Sequence, residues 1–341
     1  MMKGLSATRS MMMNASRKYI STIGVVGAGG SMGHGVVQLA ASSGFDVVAV
    51  EMNPEALERG IRLPHNNRLI NFHTHTYIYT HVGMGSIEKS LTMLNGKAAK
   101  KGKISESKAL SMTSETMGRI KGTTELEDAA DCDLIIEAIV EDMAIKIPFY
   151  ENLGKIAKAD AILATNTSSY SVEEMAVASG RPSQMVGLHY FNPVQLMKLV
   201  EIISTEHTDP SVTEKVVEFV KKTGKVGVQC GDTPGFIVNR LLVPYIVQGI
   251  AMVARGDATP EAVDTAMCLG AGHPMGPITL SDYVGNDINL ACMTGWKEKY
   301  PDNPAFDVPE AMELLEKMVA EGKFGRKTGQ GFYKWEGNKK V

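Results

Sequence analysis

The sequence predicts an α/β protein in which a doubly wound sheet is followed by an all-α domain. Three observations carry that expectation. A glycine-rich turn separates a strand-like run from a helix-like run near the start, several later apolar runs end abruptly in polar residues, and the β-rich pattern stops after residue 231. At 341 residues the chain is also long for a single hydrophobic core, so two domains are expected, residues 21–230 and 231–335.

The first twenty residues, MMKGLSATRSMMMNASRKYI, carry Lys3, Arg9, Arg17 and Lys18 and no acid, the first acidic residue being Asp46. That composition fits a mitochondrial transit peptide and equally a plain N-terminal tail, which points to the mitochondrial matrix in the first case and to the cytoplasm in the second. YISTIGVVGAGGSMGHGVVQLAASSGFDVVAVEMN then reads as strand, glycine turn, helix with small residues on its packing face, a stop at Gly44, and a β-branched strand. This is a βαβ unit. Two helical patterns, ALERGIR and SIEKSLTML, are interrupted by residues 63–85, which hold Pro64 and four of the eight histidines. His73, His75 and His81 match no known ligand spacing, so no metal site is assigned; the segment reads as an inserted loop, or as translated sequence from an imperfect gene model, and no function is assigned to it. DCDLIIEAIVED, DAILATNTSS, MVGLHYF and KLVEIIS read as further strands, and from Phe236 onward RGDATPE, GAGHPMGPI and YPDNPAF punctuate helices.

In VVGAGGSMGHG, the residues Gly27, Gly29, Gly30, Ser31, Met32 and Gly33 cover the turn from strand to helix. Small residues there let a pyrophosphate approach the backbone and sit at the positive end of the helix dipole. Gly27, Gly29 and Gly33 give G-x-G-x-x-x-G, one residue longer than the usual spacing, whereas taking Gly30 and Gly33 as the last two glycines puts Ala28 first. Glu51 ends the next strand at the distance where a carboxylate binds both ribose hydroxyls and repels a 2′-phosphate, so the expected cofactor is NAD, not NADP.

GLHYFNPVQLMKLVEII puts His189 and Glu201 among apolar neighbours, and both are costly to bury unpaired. The two are equidistant from Gln195, so if the segments fold back on one another they become cross-strand neighbours. Such a pair serves as a base oriented by an acid, and it also serves as a structural ion pair. Ser168 follows a predicted parallel strand, where it could enter a cofactor crevice or cap the next helix. Asn239 opens the first helix of the second domain, facing a cleft or bonding a neighbouring helix.

Composition narrows the classes. A net charge of -3 gives no global field for nucleic acid, and four cysteines without paired spacing argue against a disulfide scaffold or zinc site. Even FIVNRLLVPYIVQGIAMVA is broken by Asn239, Arg240 and Gln248, so no membrane span is expected.

Taken together, GAGGSMG, IIEAIVEDMAIK, ATNTSS, GLHYFNPVQLMKLVEII, DTPGFIVNRLLVPY, DTAMCLGAGHPMGP and GRKTGQGFY resemble the L-3-hydroxyacyl-CoA dehydrogenases, including the 3-hydroxybutyryl-CoA dehydrogenases, over essentially residues 20–335. The resemblance implies a Rossmann-like NAD-binding domain, a helical domain that forms a homodimer interface, and oxidation of an L-3-hydroxyacyl-CoA to the 3-ketoacyl-CoA in fatty acid β-oxidation. It implies that His189 takes the hydroxyl proton, that Glu201 partners it, and that Ser168 and Asn239 bond the oxygen-bearing end of the substrate. Cofactor contacts carry over to Glu51, Glu141, Lys146, Ser168, Asn192 and Lys327, and coenzyme A contacts to Ser90 and to Lys97 or Lys100. The sequence departs from the family pattern at the longer glycine turn and at residues 63–85, which break a helical region that in the family reaches toward coenzyme A. Two other readings remain: a β-hydroxyacid dehydrogenase with a catalytic lysine and free-acid substrates, which must explain the His189–Glu201 pair, and a non-catalytic NAD-binding relative, which would be expected to lack it.

Overall fold

The computed structural model describes residues 19–51 and 75–341, with side chains for 19–51 and 87–341. The basic N-terminal segment up to residue 18 and residues 63–74 of the expected insertion lie outside the described residues. The chain divides into two compact units between Asp232 and Thr233.

In the first unit the strands are β1 (Thr22–Val26), β2 (Asp46–Val50), β3 (Ile120–Thr123), β4 (Leu134–Glu137), β5 (Ile162–Thr165), β6 (Met185–Tyr190), β7 (Leu199–Ser204) and β8 (Val226–Gly231). Among the described residues they form one sheet in the order β3-β2-β1-β4-β5-β6-β7-β8. Every residue of β4, β5 and β6 is buried, because these central strands are covered on both faces, which is why they read as unbroken apolar runs. At the edge, β3 buries only Ile120, and the sequence reading missed it: one apolar residue in Ile-Lys-Gly-Thr leaves no period to detect.

Helix α1 (Gly33–Ser42) packs Val36, Val37, Ala40 and Ala41 into the sheet core and stops at Gly44, whose φ of 91° suits glycine. Helix α2 runs from His75 to Lys100, so residues 75–85 are helical and continuous with SIEKSLTML. The expected loop therefore does not extend past residue 74; no proline follows Pro64 until Pro148 to break a helix there. Helix α3 (Glu106–Met117) turns back on α2, where Asn95 donates to the Thr113 hydroxyl at 3.0 Å. The remaining helices of this unit, α4 (Met143–Ile156), α5 (Val172–Ala178) and α6 (Pro210–Lys222), are capped by Asp142, Ser171 and Asp209 respectively.

One strand pair is reversed. β6 and β7 run antiparallel, while the other pairs of this sheet are parallel. The connection between them, residues 191–198, is gathered by the buried Lys225 ammonium, which donates to the carbonyls of Val194 at 2.6 Å and Met197 at 2.7 Å.

The second unit holds α7 (Val238–Ala254), α8 (Pro260–Gly270), α9 (Pro277–Val284), α10 (Asn286–Lys299) and α11 (Pro309–Ala320). Ile246, Val247, Ile250, Phe306 and Leu315 form its core. The Asp282 carboxylate accepts from the backbone amides of Phe332 and Tyr333 and from Trp335 Nε1, all at 2.9 Å, which ties the chain end to the helices. The sequence pattern predicted helices alone here. The structure adds a two-stranded hairpin, β9 (Trp335–Glu336) with β10 (Lys339–Lys340), because Gly337, at φ 60°, supplies the left-handed turn that short hairpins need. Among the described residues, no helix is long and apolar enough to cross a membrane.

Candidate active site

The glycine turn follows β1 directly, and its packing dictates its residue types. A Cβ on Gly33 would lie 2.0 Å from the Gly27 carbonyl oxygen, and Gly27 itself adopts φ 85°. Helix α1 begins there with no side-chain cap and no acidic residue in its first turn, so its amides point at whatever anion occupies the turn. Glu51, immediately after β2, accepts the Gly29 amide at 2.5 Å. Burial pushes the Glu51 carboxyl above its ordinary value, and the Gly29 amide works against that rise. A narrow backbone cradle with a carboxylate at its lip fits the pyrophosphate and ribose of a dinucleotide. The extra residue is absorbed by Gly30, whose amide donates to the Gly27 carbonyl at 3.1 Å and whose carbonyl accepts the His34 amide at 3.0 Å.

Replacing Gly33 with Ala forces a methyl against a backbone oxygen with nowhere to move. We expect a lower Tm, by a destabilisation of about 1–3 kcal/mol, and weaker NADH binding, read by thermal denaturation and by NADH fluorescence titration. Replacing Glu51 with Ala removes the charge that opposes a 2′-phosphate. The NADP-to-NAD ratio of kcat/KM should then rise roughly tenfold or more, since like-charge juxtaposition costs several kcal/mol.

Antiparallel β6 and β7 place His189 opposite Glu201 in register. The His189 Nδ1 to Glu201 Oε2 distance is 2.6 Å, with His189 5% exposed and Glu201 fully buried. The tilted Phe191 ring, centroid 4.5 Å from the imidazole, braces it from the side. With the carboxylate ionised, Nδ1 carries the proton and Nε2 the lone pair, so the ring is held as a base.

Near the carboxyl ends of β4 and β5 lies a second polar cluster. Lys146, 1% exposed, places Nζ 2.7 Å from Glu137 Oε1 and 3.1 Å from Glu141 Oε2. Glu141 Oε1 in turn accepts from the Thr167 hydroxyl at 2.6 Å and from the Ser168 amide at 2.9 Å, with the Ser168 hydroxyl at 3.4 Å. Burial works to raise the Glu141 carboxyl, but the Lys146 ammonium, the Thr167 hydroxyl and the Ser168 amide outweigh it and hold it below its ordinary value. Ser168 is not the helix cap weighed from the sequence; Ser171 caps α5 by accepting the Glu174 amide.

The remaining expected positions are distributed. Asn192 is exposed on the loop between β6 and β7, Ser90 is half-buried on α2, and Lys97, two turns further along that helix, is exposed with Lys100. In the second unit, Asn239 is the second residue of α7, and Lys327 pairs with Asp287 Oδ2 at 2.6 Å. The sequence reading missed Glu137, Tyr150, Thr165 and Thr167 as members of the Lys146 cluster. Glu137 carried a signal, an acid closing the wholly apolar run Leu-Ile-Ile, as did Tyr150, one helical turn beyond Lys146.

A glycine cradle at the first strand-to-helix turn, a ribose-side carboxylate and a buried imidazole–carboxylate base define a dinucleotide-dependent oxidoreductase. Comparison with known proteins makes this specific. The family model for the 3-hydroxyacyl-CoA dehydrogenase NAD binding domain matches residues 22–81 and 80–233, and that for the 3-hydroxyacyl-CoA dehydrogenase C-terminal domain matches residues 235–335. The chain is 43% identical over 312 residues to a probable 3-hydroxybutyryl-CoA dehydrogenase of Deinococcus radiodurans, covering 92% of this chain and 99% of that one. It is 39% identical over 337 residues to the mitochondrial hydroxyacyl-coenzyme A dehydrogenase of Homo sapiens, with 98% of each chain covered. Among solved structures, the (S)-3-hydroxybutyryl-CoA dehydrogenase of Ralstonia eutropha superposes with a TM-score of 0.77 at 32% identity, over 93% of this chain and 99% of that one. The chain belongs to the 3-hydroxyacyl-CoA dehydrogenase family, and it is an NAD-dependent oxidoreductase acting on an alcohol carbon.

Proposed function

We propose that this chain oxidises an L-3-hydroxyacyl-CoA to the 3-ketoacyl-CoA, with His189 as the general base. The observation that carries the reading is the in-register, buried contact between His189 Nδ1 and Glu201 Oε2. Glu201 fixes the tautomer that leaves Nε2 to take the hydroxyl proton, and it stabilises the imidazolium that results. Ser168 holds the oxygen on C3, a role that the family resemblance also gives to Asn239. The turn from Gly27 to Gly33, with Glu51, Glu141, Lys146, Asn192 and Lys327, would hold NAD, which supplies the hydride acceptor when bound. Ser90 and Lys97 on α2 contact coenzyme A through a hydroxyl and an exposed ammonium.

The test is NADH oxidation followed by absorbance, with acetoacetyl-CoA and with free acetoacetate as rival substrates. Turnover of the thioester and none of the free acid is the expected result. Activity on the free acid alone would assign the chain to the β-hydroxyacid type instead.

The finer assignments follow the same reading. The protein works in fatty acid β-oxidation in the mitochondrial matrix, with the basic segment before Tyr19 as its import signal; an unprocessed chain that stays in the cytoplasm would contradict this. It forms a homodimer through the second unit, where Leu241, Leu269 and Ile288 are exposed. Light scattering should return twice the chain mass of 36.8 kDa.

A further inference from the structure

Glu137 has no part in the chemistry proposed above, yet it is a fully buried carboxylate with hydrogen-bond donors on both oxygens. It is fully buried at the end of β4. Its Oε1 accepts from Lys146 Nζ at 2.7 Å and from the Ile139 amide at 2.8 Å. Its Oε2 accepts from the Thr165 hydroxyl at 2.8 Å and the Tyr150 hydroxyl at 3.2 Å. Four donors converge on a side chain that touches no solvent. Burying a carboxylate so thoroughly is costly, and a well-packed apolar residue would serve stability alone at least as well.

What the buried carboxylate achieves is to fix one ammonium. Lys146 Nζ is pinned on its buried side by Glu137 Oε1 and presents itself to Glu141 Oε2 at 3.1 Å. The other oxygen of Glu141 receives the Ser168 amide at 2.9 Å and lies 3.4 Å from the Ser168 hydroxyl. A continuous polar chain therefore runs from the interior end of β4 to the segment that follows β5.

We propose that Glu137 is a positioning residue for the oxidoreductase site, acting through Lys146 and Glu141 to set the placement of Ser168. The inference rests on the reading that Ser168 meets the substrate. Without the Glu137 charge, the Lys146 ammonium keeps Glu141 as its one carboxylate partner and is drawn toward it. The Glu141 oxygen that receives Ser168 then shifts with it. Displacements of about 1 Å at a reacting group can cost on the order of a hundredfold in rate, and a shift transmitted through two side chains should cost less.

The test is a double-mutant cycle on the full-length enzyme, assayed with NADH and acetoacetyl-CoA, with Tm measured on every variant. Glu137→Gln keeps the shape of the side chain, and the Tyr150 and Thr165 hydroxyls can turn to accept from the new amide. We expect Glu137→Gln to lower kcat/KM roughly tenfold, Ser168→Ala to lower it by at least as much, and the double variant to lose no more than Ser168→Ala alone. Tyr150→Phe removes a donor from the other Glu137 oxygen, off the path to Ser168, and should lower Tm while costing clearly less in kcat/KM than Glu137→Gln does. Wild-type kinetics in Glu137→Gln, additive losses in the cycle, or a Tyr150→Phe loss equal to that of Glu137→Gln would each overturn the proposal. If Ser168→Ala is itself silent, the role of Ser168 falls, and the positioning role goes with it; if only Glu137→Gln is silent, Ser168 keeps its role and the positioning proposal alone fails. Should Glu137→Gln not fold, Glu137→Asp, which keeps the charge and withdraws it by one methylene, runs through the same cycle with the same outcomes.

Discussion

His189→Gln turns over acetoacetyl-CoA about 10²- to 10⁴-fold more slowly than the parent chain while binding NADH with unchanged affinity. The size of the loss is what a positioned acid–base group contributes, equivalent to roughly 3–5 kcal/mol of transition-state stabilisation. Glutamine can keep a hydrogen bond to Glu201 but can neither take up the proton in oxidation nor deliver it in reduction. The cradle from Gly27 to Gly33 and the carboxylate of Glu51 belong to other strands of the sheet, so cofactor affinity has no reason to change. Fluorescence titration of NADH beside steady-state assays separates the two effects, and parallel loss of both would indicate a damaged fold and remove the support for the base.

The second large effect belongs to Glu201→Gln. The parent carboxylate only accepts, so it holds the proton on Nδ1. An amide can offer either its oxygen or its NH₂, and in the second orientation it selects the tautomer with the proton on Nε2, where the lone pair is needed. It also removes the charge that favours the imidazolium. We expect kcat to fall on the order of 10²-fold or more, within the span of general base effects. The reverse reaction checks this: reduction of the ketone consumes the charged ring, so kcat with acetoacetyl-CoA should fall along with kcat for oxidation. Parent-like kcat in both directions would show that the carboxylate neither orients nor charges the ring. Stability falls less than it would with an apolar replacement, because the buried site at β7 still receives a polar group that can bond to Nδ1.

Much of this site is legible in the sequence because strand geometry is simple. A period of two and a midpoint at Gln195 suffice to put His189 opposite Glu201, and the structure has that register. The glycine turn and Glu51 are legible for a similar reason, since β1, its turn and β2 form one local unit. The Lys146 cluster is less so. It joins Glu137 on β4, Thr165 on β5 and Tyr150 on α4, and hydrogen bonds between separate elements leave no spacing in the chain. The edge strand β3 and the hairpin of β9 and β10 were missed because short, exposed pairings bury too little to create a pattern. At residues 75–85, histidines and aromatics suggest a break, yet α2 runs through them: its Thr, Tyr, His and Gly are weak helix formers, but no proline is there to stop it.

The most direct test of the account is the pH profile of kcat/KM for oxidation of 3-hydroxybutyryl-CoA, measured side by side for the parent chain and His189→Gln. The parent should lose activity as pH falls, and the residual rate of the variant should show no such acid limb. An acid limb that persists unchanged in His189→Gln would place the proton acceptor on another group and contradict the role assigned to the buried pair.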